Sequence, residues 1–93
     1  MPQQLPRLEL RSRVMPSPIR SSGTLSFATS RSGSLRVEIL DLAGRRVHRL
    51  LDRAEAPAGR HELSIPRDLN TGVYFYRIEA LERVETGRFA VLR

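Results

Sequence analysis

Hydrophobic and polar positions alternate with a period of two along most of this chain. Leu8, Leu10, Ser12 and Val14 alternate with Glu9, Arg11 and Arg13, which predicts a half-buried strand. Met15-Pro16-Ser17-Pro18 ends it, because two prolines remove ladder donors. Residues 19–22 read as a connection. Leu25, Phe27 and Thr29 share one face of a second strand over residues 24–30, and 31–34 read as a turn. Leu35, Val37, Ile39 and Asp41 alternate with Arg36, Glu38, Leu40 and Leu42 in a third. Asp41-Leu42-Ala43-Gly44 then suits a type I turn whose glycine takes positive φ and closes a hairpin. The next stretch is ambiguous. Val47, Leu50, Leu51 and Ala54 fall at helical spacing, so an amphipathic helix competes. The tight turn before it and the strands around it favour a strand over residues 45–51, fraying at Asp52. Residues 55–59 read as a turn. His61, Leu63 and Ile65 mark a fifth strand, and Pro66 stops it.

The densest strand signal is residues 70–80. Asn70-Thr71-Gly72 forms a turn cluster, and Val73-Tyr74-Phe75-Tyr76 holds three of the five aromatic residues. Tyr74, Tyr76, Ile78 and Ala80 fall on one face, and Val73, Phe75 and Arg77 on the other. A strand apolar on both faces at its start belongs in the middle of a sheet. Leu81-Glu82 turns the chain into a last strand over residues 83–92, which pairs back as a hairpin. Gly87 within it implies a bulge or close packing. Seven short strands, with turn signals about every ten residues, define an antiparallel β-sandwich. Its expected core is Leu25, Phe27, Leu35, Val37, Ile39, Val47, Leu63, Ile65, Tyr74, Tyr76, Ile78, Phe89 and Val91. In immunoglobulin-like sandwiches a tyrosine at the start of a late strand returns its hydroxyl to nearby backbone, two positions before a buried residue. Tyr74 and Tyr76 fit that spacing, and they fit equally as plain core aromatics.

Composition narrows the function. Ninety-three residues make one small domain, with residues 1–7 as a Pro-rich linker and 8–93 as the folded unit. With no cysteine, it has neither disulfide nor thiolate site. Its 16 basic residues outnumber 10 acidic ones, a net charge of +6, and every basic residue is arginine. Arginine forks suit phosphate and guanine, but arginine in place of lysine also follows from GC-rich codons. The arginines are spread through all the predicted strands but the second and are not concentrated in one run, so nucleic acid is not the expected partner. No apolar run approaches the roughly 18 residues of a membrane span, and no stable membrane insertion is expected. No signal peptide is visible after Met1. The chain is therefore cytosolic or the later part of a longer exported precursor.

No catalytic constellation emerges. There is no G-x-S-x-G elbow and no phosphate-cradling glycine loop. His48 and His61 stand alone, with no second ligand at metal spacing. No enzyme activity, metal or cofactor is expected. Arg45, Arg46, Arg49 and Arg53 form the densest basic patch. It reads either as a docking face for an anionic partner or as a solvated edge strand protected by charge.

Several segments together resemble one family. Ser34-Leu-Arg-Val-Glu-Ile-Leu-Asp-Leu-Ala-Gly-Arg-Arg-Val47 resembles the hairpin of the C-terminal sorting domains of the bacterial type IX secretion system. Ala58-Gly59-Arg60-His61, Gly72-Val73-Tyr74-Phe75-Tyr76-Arg77 and Gly87-Arg88-Phe89-Ala90-Val91-Leu92-Arg93 resemble the same domains in the same order. The related Ig-like domain of flagellar hook-capping proteins carries a similar hairpin. Pro16-Ser17-Pro18-Ile19 stands where the family has Pro-Asn-Pro-Phe, and Arg88 and Arg93 stand where its tail has lysines. The likeness runs from about Leu8 to the end.

It implies a seven-stranded immunoglobulin-like sandwich that is a non-catalytic C-terminal sorting domain. Such a domain directs an upstream cargo, lying before Met1 in a longer precursor, across the outer membrane. The implied partners are the outer-membrane secretion machinery and the cargo domain, and the destination is the medium or cell surface by way of the periplasm. Arg88, Phe89, Val91, Leu92 and Arg93 are the expected sorting signal, with the last strand part of it; Gly44, Gly72, Tyr74 and Tyr76 are expected to be structural. The rival expectation is a structural Ig-like module that packs on a neighbouring domain or assembles with itself.

Overall fold

The computed structural model describes residues 12–81 and 83–93, which form seven strands and no helix. They are β1 (Arg13–Met15), β2 (Thr24–Thr29), β3 (Gly33–Leu40), β4 (Arg46–Ala56), β5 (Gly59–Ser64), β6 (Gly72–Ala80) and β7 (Val84–Val91). A three-stranded sheet has the order β1-β2-β5, and a four-stranded sheet the order β4-β3-β6-β7. Every strand pairing is antiparallel. This is the seven-stranded immunoglobulin-like sandwich. Its fourth strand lies beside the third, unlike the constant-type arrangement in which it joins the first, second and fifth. β6 is paired on both sides, by β3 and β7, as its two apolar faces imply.

The inner faces meet in one core. Leu25 and Phe27 from β2, Leu35, Val37 and Ile39 from β3, Tyr76 and Ile78 from β6, and Phe89 and Val91 from β7 are all buried. Each such side chain contributes about 1.5–3 kcal/mol on burial, so this interior outweighs the surface ion pairs at about 0–1 kcal/mol each.

Several expectations need correction. Only part of the first predicted strand falls within the described residues; β1 begins at Arg13, and residues 8–11 lie outside them. β4 does not fray at Asp52 but runs to Ala56, which pairs with Gly33 and is buried. The turn that follows shrinks to Pro57 and Ala58, and β3 begins two residues early. Val47, expected in the core, is 44% exposed. The β3–β4 register slips between Ile39 and Leu40, whose partners are His48 and Arg46, so Val47 is the extra residue of a bulge. Leu50 is skipped in the same way between Val37 and Glu38. This irregular spacing is why the helical reading of residues 45–56 competed with the strand. Leu63 and Tyr74 sit half-buried at the rim of the core.

Ile19, read as a connection, is 1% exposed. Its N–H donates to the Ala90 carbonyl (2.9 Å), and its carbonyl accepts from the Leu92 N–H (2.8 Å). It thus forms a parallel bridge to Val91. Its side chain packs over Gly23, where a Cβ would stand only 2.5 Å from the Ile19 Cδ1.

Candidate functional site

β6 and β7 position the residues to which the sequence points. The Tyr74 hydroxyl donates to the Asn70 carbonyl (2.8 Å), four residues upstream. The ring stacks on Phe89, with centroids 5.7 Å apart. This is the tyrosine corner geometry, and it ties the loop before β6 to the strand. Tyr76, two residues on, is buried and lies across from Gly87. At Gly87 a Cβ would fall within the Tyr76 ring, 2.6 Å from its Cε2. The phenol donates to the Ser12 hydroxyl (2.7 Å), which in turn donates to the Glu85 carboxylate. Gly72 opens β6 opposite Val91, and a Cβ there would meet nothing nearer than 3.8 Å. Gly44 has φ 84° and its N–H donates to the Asp41 carbonyl (2.9 Å), so the hairpin turn uses the left-handed conformation that glycine allows. Asp41 accepts from the N–H groups of Arg45 and Ala43 (2.9 Å each), and the Arg45 N–H holds its carboxyl below the ordinary value.

Burial raises the Tyr76 phenol above its ordinary value; the Ser12 bond opposes this and the Glu85 charge adds to it. The folded state therefore favours the neutral phenol. That stabilisation is fully present below the unfolded value near 10 and is lost as pH rises through the higher folded value. Urea midpoints measured from pH 9 to 11 should fall, and Tyr76→Phe should flatten the decline. An equally steep fall in that variant would assign the loss to other groups.

The expected sorting residues divide by exposure. Phe89 and Val91 are buried, whereas Arg88 and Arg93 are exposed and Leu92 is 43% exposed. Arg93 fastens the tail. Its N–H donates to the Thr71 hydroxyl (2.9 Å), its Nε to the Leu69 carbonyl (3.1 Å), and its Nη1 to the Ser21 carbonyl (2.8 Å). Two loops distant in sequence are joined by this one guanidinium.

The outward face of the four-stranded sheet forms a grid of cross-strand rows. One row runs Asp52, Arg36, Glu79, Val84 from β4 to β7, and the next Arg49, Glu38, Arg77, Thr86. These charges answer one another. Arg36 pairs with Glu79 (3.3 Å), Arg77 with Glu79 (2.9 Å) and Arg49 with Asp52 (3.3 Å). Glu38 is 5% exposed beneath Arg46, Arg49 and Arg77, at 3.5, 3.5 and 3.7 Å. The third row differs, running Arg46, Leu40, Phe75, Arg88, with Val73 and Ala90 beyond it. Here apolar side chains face outward and no carboxylate stands in the row. The sequence showed β6 to be apolar on both faces, but period-two reasoning does not tell which apolar face a second sheet will cover.

The basic patch on β4 is thus split. Arg45 pairs with Asp41 (3.1 Å), Arg46 and Arg49 reach Glu38, and Arg53 sits across from Leu35. Three register shifts kink this edge strand, which, with its charge, discourages pairing with another strand. His48 is exposed. His61 stacks on Phe27 at 5.1 Å and donates from Nε2 to the Pro57 carbonyl (3.0 Å), a structural placement.

The fold and the folded-in tail define an immunoglobulin-like domain whose last strand closes the sandwich. Residues 13–92 match the family described as the secretion system C-terminal sorting domain, and the chain belongs to that family. It is a C-terminal sorting-signal domain of type IX secretion cargo, a family of sorting signals and not of catalysts. No curated protein sequence matches the chain. A solved structure of PorZ, described as an essential bacterial surface component of the type-IX secretion system of Porphyromonas gingivalis, is similar at 20% identity with a TM-score of 0.63. The likeness covers 89% of this chain and 12% of that one, and at this identity it concerns the fold.

Proposed function

We propose that residues 8–93 are the non-catalytic export address of a longer precursor, joined through residues 1–7 to an upstream cargo and read by the outer-membrane secretion machinery. The observation that carries this reading is the family match, which runs from the first strand to Leu92. Within the address, Arg88, Leu92 and Arg93 form the accessible part of the signal, and buried Phe89 and Val91 hold the strand that presents them. Gly44, Tyr74 and Tyr76 serve the fold through the turn, the corner and the core, and Gly72 starts the strand. The cargo is delivered to the cell surface or the medium by way of the periplasm.

The test is a reporter with its own signal peptide fused ahead of the chain. It should leave cells that have a working type IX system and stay in the periplasm of cells lacking one. Removing residues 89–93 should strand it in the periplasm of both. Retention of the intact fusion in both strains, with the domain folded, would instead favour a structural Ig-like module.

A further inference from the structure

The geometry points to a docking face on the outer side of the four-stranded sheet, and we propose that it receives a component of the export machinery that presents apolar side chains between two carboxylates. This rests on the sorting reading and names the chemistry of the partner. Phe75 and Leu40 are cross-strand neighbours and are half-buried, and Val73 beside them is 38% exposed. An aromatic residue on the face turned away from the core adds nothing to the packing between the sheets. A partner that covers it removes apolar area from water.

The charges select the partner. Arg46 and Arg88 close the row at either end, three strand spacings or roughly 14 Å apart. Arg46 has a 51% exposed side chain, and its one acid, Glu38, also lies near Arg49 and Arg77, which have second partners in Asp52 and Glu79. Arg88 makes no ion pair among the described residues, and neither end of the row carries an acid. The surplus on this face is positive, and carboxylates at that separation complement it. A second copy of the chain fits poorly: where two such apolar pairs meet, arginines meet arginines. The two lower rows satisfy their charges internally and leave the Phe75 row as the part of the face that is unanswered. Arg88 also belongs to the tail strand, so the same surface includes one residue of the signal.

The test uses the reporter fusion. Phe75→Ser with Val73→Ser, and separately Arg88→Glu, should each lower export at least ten-fold while thermal unfolding shows that the domain still folds, with a lower midpoint for the Phe75 pair, which loses its contact with Leu40. Arg88→Lys should retain export, since the charge remains, and Arg60→Glu on the other sheet should export normally. A photo-crosslinking phenylalanine analogue at position 75 should give, in exporting cells, an adduct with an outer-membrane component of the machinery. Adducts with a second copy of the chain or with the cargo would overturn the proposal. So would binding to phosphatidylglycerol vesicles that the Phe75→Ser change abolishes while export persists. Normal export of both Phe75→Ser/Val73→Ser and Arg88→Glu would remove the docking face and leave the sorting reading standing. Failure of the unaltered fusion to export would remove both.

Discussion

Gly87→Val is expected to cost about 3 kcal/mol, at the upper end of what overpacking a well-filled site brings. The Tyr76 ring occupies the place of a side chain at residue 87, so a Cβ there collides with it. The ring has little freedom to move. It is 5% exposed, lies near Phe89 at 6.5 Å, and its hydroxyl is bound to Ser12. A domain of this size has a total stability of about 5–14 kcal/mol, so the change takes a large share of it. Urea unfolding checks the size of the effect, and a double-mutant comparison checks the cause. With Tyr76→Ala already present, Gly87→Val should cost much less, because the two positions share one space. Equal costs in both backgrounds would place the damage elsewhere, in the strand propensity of β7.

Phe89→Ala is expected to cost about 3–5 kcal/mol, the usual range for emptying a buried phenylalanine site. The side chain is 3% exposed and touches both aromatic residues of β6 that face the core. The thermal midpoint should drop by about 12–40 °C, taking about 4–8 °C for each kcal/mol in a domain this small. Export should fail as well, but through loss of fold. Arg88→Ala provides the contrast, since that side chain is exposed and its removal should leave the midpoint within about 3 °C. If Phe89→Ala retained the wild-type midpoint and still blocked export, residue 89 would be read directly, which would require the tail to leave the sandwich.

Much of the architecture was legible because a strand's period of two is written into adjacent residues. The β3 run from Leu35 to Ile39 and the β6 run from Tyr74 to Ile78 declare their buried face without reference to anything distant. The Asp41–Gly44 turn is equally local, since its hydrogen bonds stay within five residues. The corner at Tyr74 was visible as a spacing, and its bond to Asn70 spans only four residues. Where local reasoning failed, the deciding contact was remote. Ile19 looks like loop until Val91 lies beside it, and Ala56 looks like turn until Gly33 pairs with it. Val47 carries a core residue's identity, but the bulge at that position places it outside the regular alternation.

The same division holds for the candidate site. Strand periodicity and turn chemistry are properties of neighbouring residues and were enough to indicate the sandwich, while the sorting role came from the resemblance of the hairpin, turn and tail motifs, in their order, to one family. Which of the residues proposed as the signal are accessible was not legible there. Phe89 and Arg88 are adjacent in sequence, and only closing the two sheets sends one inward and leaves the other in solvent. The Arg93 clasp joins residues more than twenty positions apart, and the Leu40–Phe75 row unites three strands with a fourth at its edge. Burial and charge pairing depend on which surfaces the tertiary fold brings together, so these features were decided by the structure alone.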